Sequence, residues 1–247
     1  KQKEGKNLTP NIRYLISEYV TDIIFPKECI GCGQEGRWLC KSCFTTIPYY
    51  TPEGCINCGK PIQEKNLCRQ CHSFLLLDDI VVTGDYKHPI LSSAIRYFKY
   101  SFLKELADDL ELFISAYLKN NNAVLDPKCF KQNTIIIPVP LHKKRKKWRG
   151  FNQAEELAQR ISRRYQLEIF QGLYRIKNKK PQTKLNKQER KENLNNAFDW
   201  QGREELKGKK VILVDDVVTT ATTLNSCAYI LKRHGAKSVV GLVIAKG

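Results

Sequence analysis

The stretch KKVILVDDVVTTATTLNSCAYILK, residues 209–232, contains the pattern that decides the fold. An apolar run ends in two adjacent carboxylates, Asp215 and Asp216, and a turn of four threonines and one alanine follows at 219–223. Apolar residues then recur at helical spacing. The pattern predicts a buried strand over 210–216 and a helix over 222–235 that Gly235 ends.

The composition of this turn suits a phosphorylated ligand. A turn directly before a helix offers backbone N–H groups and the positive end of the helix dipole, and threonine hydroxyls add further donors. Asp215 and Asp216 would repel a bare phosphate, so the ligand is expected to carry hydroxyl groups or a metal as well. A sugar phosphate has both groups, whereas the alternative is a strand end with solvated acids.

The rest of the chain after residue 78 alternates between strand and helix patterns, which predicts a parallel sheet covered on both faces. The expected strands are 80–86, 134–140, 168–176, 210–216 and 238–246, and the expected helices are 89–119, 152–165 and 222–235. Because ligands bind beyond the carboxyl ends of such strands, the acids and the segment 138–150 are expected in the site, with residues 141–151 forming a basic loop.

Eight of the ten cysteines form four C-x-x-C pairs within residues 29–71. Such pairs direct two thiolates at one metal ion, so four pairs predict two structural zinc ions in two zinc ribbons. A disulfide scaffold is the alternative, and it would need an oxidising compartment. Ligation in sequence is favoured over interleaved ligation. His72 could replace a thiolate, but it is expected to be a bystander. The expected ligands are Cys29, Cys32, Cys40, Cys43, Cys55, Cys58, Cys68 and Cys71.

The charge balance favours anionic partners. Lysine and arginine number 42 against 25 acidic residues, which gives a net charge of +17. Phosphates, nucleic acid and acidic membrane surfaces are therefore the expected partner classes, and a solvated lysine-rich surface is the alternative. The sequence has no apolar stretch of transmembrane length, so we expect a cytoplasmic protein, with peripheral attachment to the inner membrane face as a variant.

Three separated blocks carry a family resemblance. VILVDDVVTTATTL (211–224) resembles the 5-phosphoribosyl-1-pyrophosphate (PRPP) motif of type I phosphoribosyltransferases, while PVPLHKKRKKWRGFNQAEELA (138–158) and QTKLNKQERKENLNNAF (182–198) are similar to blocks of the ComF family of competence proteins. The resemblance implies an α/β chain with a parallel-sheet type I phosphoribosyltransferase fold after a small double zinc-ribbon domain. The expected parts are an amphipathic helix (1–27), the double ribbon (28–77) and the phosphoribosyltransferase-like domain (78–247).

The resemblance also implies roles for single residues. Asp215 and Asp216 would be the catalytic acids that hold the ribose hydroxyls. The family usually has glycine where Ala221 stands, so a left-handed backbone there would cost about 1 kcal/mol, and a Cβ facing the phosphate would weaken binding further. The other expected PRPP contacts are Thr219, Thr220, Thr222, Thr223, Val139, Pro140, Leu141, His142, Arg145, Arg149, Gln182, Thr183 and Arg190.

Two functions remain open at this point. The first is an enzyme of natural competence that transfers phosphoribosyl from PRPP, with Mg²⁺, to an acceptor that the sequence does not name. The second is a catalytically idle adaptor that binds single-stranded DNA and passes it to a helicase-like partner. Bases would stack on aromatic residues between phosphate-binding lysines. The expected DNA contacts are Lys143, Lys144, Lys146, Lys147, Trp148 and Phe151.

Overall fold

The structure is a computed structural model that describes residues 26–62, 66–101, 103–120, 125, 133–176, 197–202 and 205–247. The expected amino-terminal helix and three expected PRPP contacts, Gln182, Thr183 and Arg190, lie outside the described residues. The chain forms two compact units, Lys1–Thr46 and Ile47–Gly247.

The described part of the first unit is short and has little apolar interior. A bridge pairs Glu28 with Glu35, and one helix, α1, covers Lys41–Thr46. The buried side chains of this part are Cys29, Leu39, Cys40 and Cys43. Three of these four are cysteines, so this described part depends on thiol chemistry more than on apolar packing.

The second unit is built on a parallel five-stranded sheet of order β1-β7-β6-β2-β3, beside an antiparallel pair of β4 and β5. Its strands are β1 (Asp79–Asp85), β2 (Thr134–Pro138), β3 (Glu168–Ile169), β4 (Leu173–Arg175), β5 (Phe198–Trp200), β6 (Lys210–Val218) and β7 (Ser238–Lys246). Its helices are α2 (Arg69–Phe74), α3 (Pro89–Tyr100), α4 (Leu106–Asn120), α5 (Lys143–Arg149), α6 (Gln153–Tyr165) and α7 (Thr222–Arg233).

The sheet forms because its central strands are almost continuously apolar. All seven inner residues of β7 are buried, and so are Val211 to Val214 of β6. Continuous burial is typical of a parallel strand covered on both faces. The apolar stripes of α6 and α7 are buried as well, through residues such as Leu157 and Leu231.

The structure corrects three sequence expectations. The helix expected over 89–119 is two helices, since α3 ends with a C-cap at Ser101 and α4 begins at Leu106. The strand expected over 168–176 is two short strands in different sheets, β3 and β4. The basic run after His142 is not a loop but the helix α5.

Candidate functional site at the carboxyl edge of the sheet

Asp215 and Asp216 lie on the part of β6 that is no longer paired with β2 but is still paired with β7. The last pair between β2 and β6 joins Pro138 to Val214, whereas β6 stays paired with β7 as far as Val218. Strand β6 therefore runs beyond the expected end at residue 216, and the two acids are strand residues beside the end of β2. Beyond Pro138, the Val139 N–H still donates to the Val214 carbonyl at 2.9 Å.

A lysine that sequence reasoning missed contacts the acid pair. Lys99 Nζ, in the last turn of α3, lies 2.9 Å from Asp216 Oδ1. Both side chains are mostly buried, at 16% and 13% exposed respectively. No local signal predicts this ion pair, because its partners are far apart in the sequence.

The environment of Asp215 favours its protonated form. Burial, followed by the charge of Asp216, raises the pKa of Asp215 to about 7. The Asp216 N–H donates to Asp215 Oδ1 at 2.8 Å, and this bond opposes the rise together with the charges of Lys99 and Arg175. Near neutral pH the carboxyl group of Asp215 is therefore close to the midpoint of its titration.

The threonine turn continues directly from β6 into α7. Thr219, Thr220 and Thr223 are exposed, and the Thr220 hydroxyl donates to the Thr222 hydroxyl at 3.0 Å. The first N–H groups of a helix have no intrahelical acceptor, so α7 adds backbone donors to these hydroxyls. We call Asp215, Asp216 and 219–223 the acid–threonine site.

Ala221 is compatible with this turn. Its backbone is right-handed, with φ −66° and ψ −2°, so it carries no left-handed strain. Its methyl group is fully buried and belongs to the apolar core of the second unit. The Cβ therefore packs inward, and neither cost considered for replacing glycine arises.

The segment after β2 borders the acid–threonine site. Val139 is buried, and its carbonyl accepts a hydrogen bond from Asn152 Nδ2 at 3.0 Å. Pro140, Leu141 and His142 are half-buried. His142 caps α5, because its Nδ1 accepts from the Lys144 N–H at 3.2 Å.

Helix α5 exposes a dense group of positive charges. Trp148 is 62% exposed and lies against Tyr100, with ring centroids 5.8 Å apart. Lys146 also pairs with Glu155 at 2.9 Å. The exposed cations of the helix are Lys143, Lys144, Arg145, Lys146 and Lys147. An exposed aromatic ring beside five cations matches what a single-stranded nucleic acid requires.

Phe151 and Arg149, which were expected to contact DNA and PRPP respectively, are buried. Phe151 is 4% exposed and packs on Phe98, so it offers no surface for a base. Arg149 is 8% exposed, donates to Gln153 Oε1 at 3.0 Å and lies over the Tyr100 ring at 5.0 Å. Because Arg149 is buried, it is suited to holding Tyr100 in place and not to binding pyrophosphate directly.

The cysteines form two clusters used in sequence order, namely Cys29, Cys32, Cys40 and Cys43, and then Cys55, Cys58, Cys68 and Cys71. Within each cluster the sulfur atoms lie within 4.8 Å of one another. Sulfur pairs at 3.7 Å and 3.6 Å approach the edge of about 3.8 Å that a tetrahedron with Zn–S bonds of about 2.3 Å has.

The knuckles have the backbone that metal ligation requires. Gly33 and Gly59 follow the second cysteine of a pair and adopt φ +75° and +73°. Their N–H groups donate back to Cys29 and Cys55 at 2.8 and 2.7 Å. A side chain would be strained in this conformation, which explains the glycines of CIGCG and CINCG.

The thiols of one cluster cannot all ionise without a cation. Burial opposes ionisation of Cys29, but backbone hydrogen bonds led by that of Cys40 lower its pKa to about 6. Burial and the neighbouring cysteines raise the pKa of Cys43 to about 12. Cys55 and Cys71 repeat this split in the second cluster. A bound Zn²⁺ would supply the missing positive charge.

If a magnesium ion binds at the acid–threonine site, the bound ligand would have to supply most of its coordinating atoms. Among the described residues, the two cysteine clusters are the groups of three or more potential ligands able to reach one ion. Asp215 and Asp216 offer two carboxylates at most, and Lys99 already contacts the second. Mg²⁺ commonly binds through substrate phosphates and retains several waters, so a diphosphate would bring most of its ligands.

The described helices include none whose length and apolar content would let it cross a membrane.

Two domain families match separate parts of this chain. Residues 20–72 match the double zinc ribbon domain family, and residues 147–246 match the phosphoribosyl transferase domain family. Among solved structures, a hypoxanthine phosphoribosyltransferase from Staphylococcus aureus aligns with a TM-score of 0.36 and 14% identity over 58% of this chain and 64% of that chain.

Curated relatives align over most of their length. The chain is 34% identical to competence protein F of Haemophilus influenzae over 85% of this chain and 86% of that protein. It is 27% identical to competence protein ComFC of Bacillus subtilis (82% and 81% covered), and 32% identical to the DNA utilization protein YhgH of Escherichia coli K12 (75% and 80% covered). With its double zinc ribbon and parallel-sheet phosphoribosyltransferase fold, the chain belongs to the ComF family of competence proteins.

Proposed function

We propose that the acid–threonine site binds PRPP together with Mg²⁺ and transfers its phosphoribosyl group to an acceptor during the handling of incoming DNA. The observation that carries this proposal is the continuity of Asp215, Asp216 and the threonine turn at the carboxyl end of one strand. Carboxylates accept hydrogen bonds from ribose hydroxyls, and the turn and the start of α7 donate to the 5-phosphate. A ribose phosphate carries its hydroxyl groups and its phosphate close together, so one ligand can bind to both parts of the site.

In the proposed reaction the bond between ribose C1 and the pyrophosphate oxygen breaks, and the acceptor's electron pair forms the new bond to C1. Positive charge develops on the ribose ring, and Asp215 and Asp216 would stabilise it. Bound Mg²⁺ would supply positive charge to the leaving pyrophosphate. Arg145, exposed on α5, is a further candidate for that anion. The described side chains need not form a covalent intermediate.

The test removes the carboxylate charges and keeps their shape. We expect the double substitution Asp215→Asn and Asp216→Asn to abolish PRPP binding in calorimetry at fixed free Mg²⁺, and to abolish any PRPP-dependent pyrophosphate release, without loss of the thermal unfolding transition. Asp78→Asn is the matched control, since Asp78 also pairs with a lysine, Lys232 at 2.8 Å, but precedes β1 at the opposite edge of the sheet. Normal PRPP binding by the double variant would contradict the proposal.

A second candidate function, binding of single-stranded DNA, rests on α5. Five exposed cations lie on this helix with the exposed Trp148, and the Tyr100 ring extends the aromatic surface. Relatives of this chain are called DNA utilization proteins. Lysines on α5 would contact phosphates and Trp148 would stack on a base, in a manner tolerant of sequence.

Salt dependence tests this second candidate. Each phosphate contact on a single strand contributes about 0.7 to the slope of log affinity against log salt. Neutralising Lys143, Lys144, Lys146 and Lys147 should therefore flatten the slope and weaken binding. The matched control neutralises four lysines at the opposite edge of the sheet, namely Lys207, Lys209, Lys210 and Lys237. A slope that responds equally to both sets would reject α5 as the DNA surface.

The two candidate functions can also be linked. If PRPP and DNA share the cations of α5, each ligand should weaken the binding of the other by the same factor. Ionic strength and free Mg²⁺ must be held constant, because PRPP is itself a polyanion. PRPP should then displace DNA from the wild type but not from the Asp215 and Asp216 double variant. Independent binding would separate the two surfaces.

A further inference from the structure

Lys99 is a charged residue in contact with the acid–threonine site that the proposed reaction does not use. Its ammonium group joins the end of α3 to Asp216 of β6, and both side chains are mostly withdrawn from water. Removing one partner of a buried ion pair leaves the other uncompensated, so such a lysine leaves its carboxylate easily only when another anion receives it.

The chemistry of PRPP provides such an anion at the right place. The diphosphate is attached to C1 of the ribose, and C1 is bonded to the carbon that carries the 2-hydroxyl. A carboxylate that accepts hydrogen bonds from the ribose hydroxyls is therefore close to the diphosphate. The Lys99 side chain has a flexible four-carbon stem, so a small movement would carry Nζ from Asp216 to a diphosphate oxygen.

The backbone that carries Lys99 is held in place independently. Tyr100, the next residue, contacts two side chains of α5, because Arg149 Nη2 donates to its hydroxyl at 3.4 Å and the Trp148 ring lies against it. The end of α3 is thereby fixed against α5. The Lys99 side chain can then exchange partners without a movement of the helix.

We propose that Lys99 is the residue that distinguishes PRPP from ribose phosphates without a diphosphate: it neutralises Asp216 in the protein alone and binds the diphosphate when ribose hydroxyls reach the carboxylates. This inference rests on the proposed binding of PRPP at the acid–threonine site. Before binding, Lys99 thus reduces the repulsion between Asp216 and the incoming anion. After binding, it donates a charge-assisted hydrogen bond to the diphosphate.

The test compares two ligands that share the ribose hydroxyls and the 5-phosphate. Calorimetry would measure the affinities of PRPP and ribose 5-phosphate at fixed free Mg²⁺ and ionic strength. We expect Lys99→Met to weaken PRPP binding about ten- to hundredfold, the effect of losing a charge-assisted hydrogen bond. The affinity for ribose 5-phosphate should change by less than about threefold. Without Lys99, Asp216 repels the 5-phosphate more strongly, but its carboxylate no longer has to give up a lysine before it accepts the ribose hydroxyls, and the two effects offset each other.

Three variants make the result decisive. Lys99→Arg should restore most of the preference for PRPP, and Lys232→Met, which breaks the ion pair with Asp78 at the other edge of the sheet, should leave both affinities unchanged. If Lys99→Met lowers the thermal transition too far for measurement, Lys99→Gln removes the same charge and keeps a donor for Asp216.

The outcomes separate this inference from the proposed function. Equal weakening of both ligands by Lys99→Met would show that Lys99 acts only through the charge of the acid pair, and unchanged affinities would show that it has no role in binding. Either result overturns the inference while PRPP binding stands. Failure of the wild type to bind either ligand would overturn the proposed function, and this inference with it.

Discussion

The two cysteine clusters have the same ligand chemistry but different support. The first lies in a unit where Leu39 is the single buried residue besides cysteines among residues 26–46. In the second cluster, Cys55 and Cys71 belong to the same core as Ile56, Leu67 and the sheet residues of the second unit. Among the described residues, metal is therefore the main support of the first cluster, whereas metal and apolar packing together hold the second.

Removal of zinc should separate the two clusters most strongly. A structural zinc site supplies on the order of 10 kcal/mol, which the few buried residues among 26–46 cannot replace. After chelation we expect the Gly33 and Ile30 amides, which donate to Cys29 and Trp38 carbonyls, to lose protection from hydrogen exchange. The Gly59 and Ile56 amides of the second cluster, which donate to the Cys55 and Asn66 carbonyls, should keep more of theirs. Equal loss of protection in both regions would break the comparison.

Single cysteine substitutions give a smaller and more local contrast. Cys71 is 1% exposed in the core of the second unit. Cys71→Ser should lower the free energy of unfolding of the sheet by about 3 kcal/mol, through a lost ligand and a buried hydroxyl. Cys40→Ser should lower it by less than about 1 kcal/mol, since Cys40 belongs to the first unit. Urea unfolding monitored by tryptophan fluorescence and far-ultraviolet circular dichroism measures both, and similar shifts would contradict the assignment.

The pH dependence of stability shows how well the second unit tolerates the buried carboxyl group of Asp215. The folded-state pKa of Asp215 is raised to about 7 from an ordinary value of 3.8, so its contribution to stability is present at low pH and is lost as the pH rises from 3.8 through 7. Asp215→Asn cannot titrate. Its stability relative to the wild type should therefore increase by about 2 kcal/mol between about pH 5.5 and pH 8. A difference that stays constant over this range would reject the raised pKa.

The apolar core of the second unit also supports the threonine turn, through the side chain of Ala221. Its methyl group is fully buried in the core of the second unit, and its φ of −66° gives glycine no advantage. Ala221→Gly should cost about 1 kcal/mol of stability in thermal unfolding. PRPP affinity should stay the same, because the methyl group does not face the ligand. Tighter PRPP binding by the variant would contradict that orientation.

The sequence predicts best where one local pattern determines the structure. β1, β2, β6 and β7 follow from apolar runs, and the two cysteine clusters follow from spacing, with ligation in sequence order as favoured. These features succeed because each depends on residues close together in the chain. The extension of β6 to Val218 is different, since it depends on pairing with β7.

Features that depend on distant partners could not be predicted. The apolar spacing continues through the break after Ser101, so the two helices α3 and α4 appear as one. The like charges at 143–147 suggest a loop, but lysine and arginine are good helix formers, His142 caps the helix, and Lys146 pairs with Glu155. The contact between Lys99 and Asp216 requires the folded sheet.

The position of β7 in the sheet has a consequence for synthesis on the ribosome. β7 lies between β1 and β6, yet Ser238–Lys246 is translated after both of them. Until those residues leave the exit tunnel, β1 and β6 each present an unpaired edge to other nascent chains. The acid–threonine site, carried by β6, therefore lacks the support of β7 until Ser238–Lys246 has been made, so protection by a chaperone should matter most over that interval.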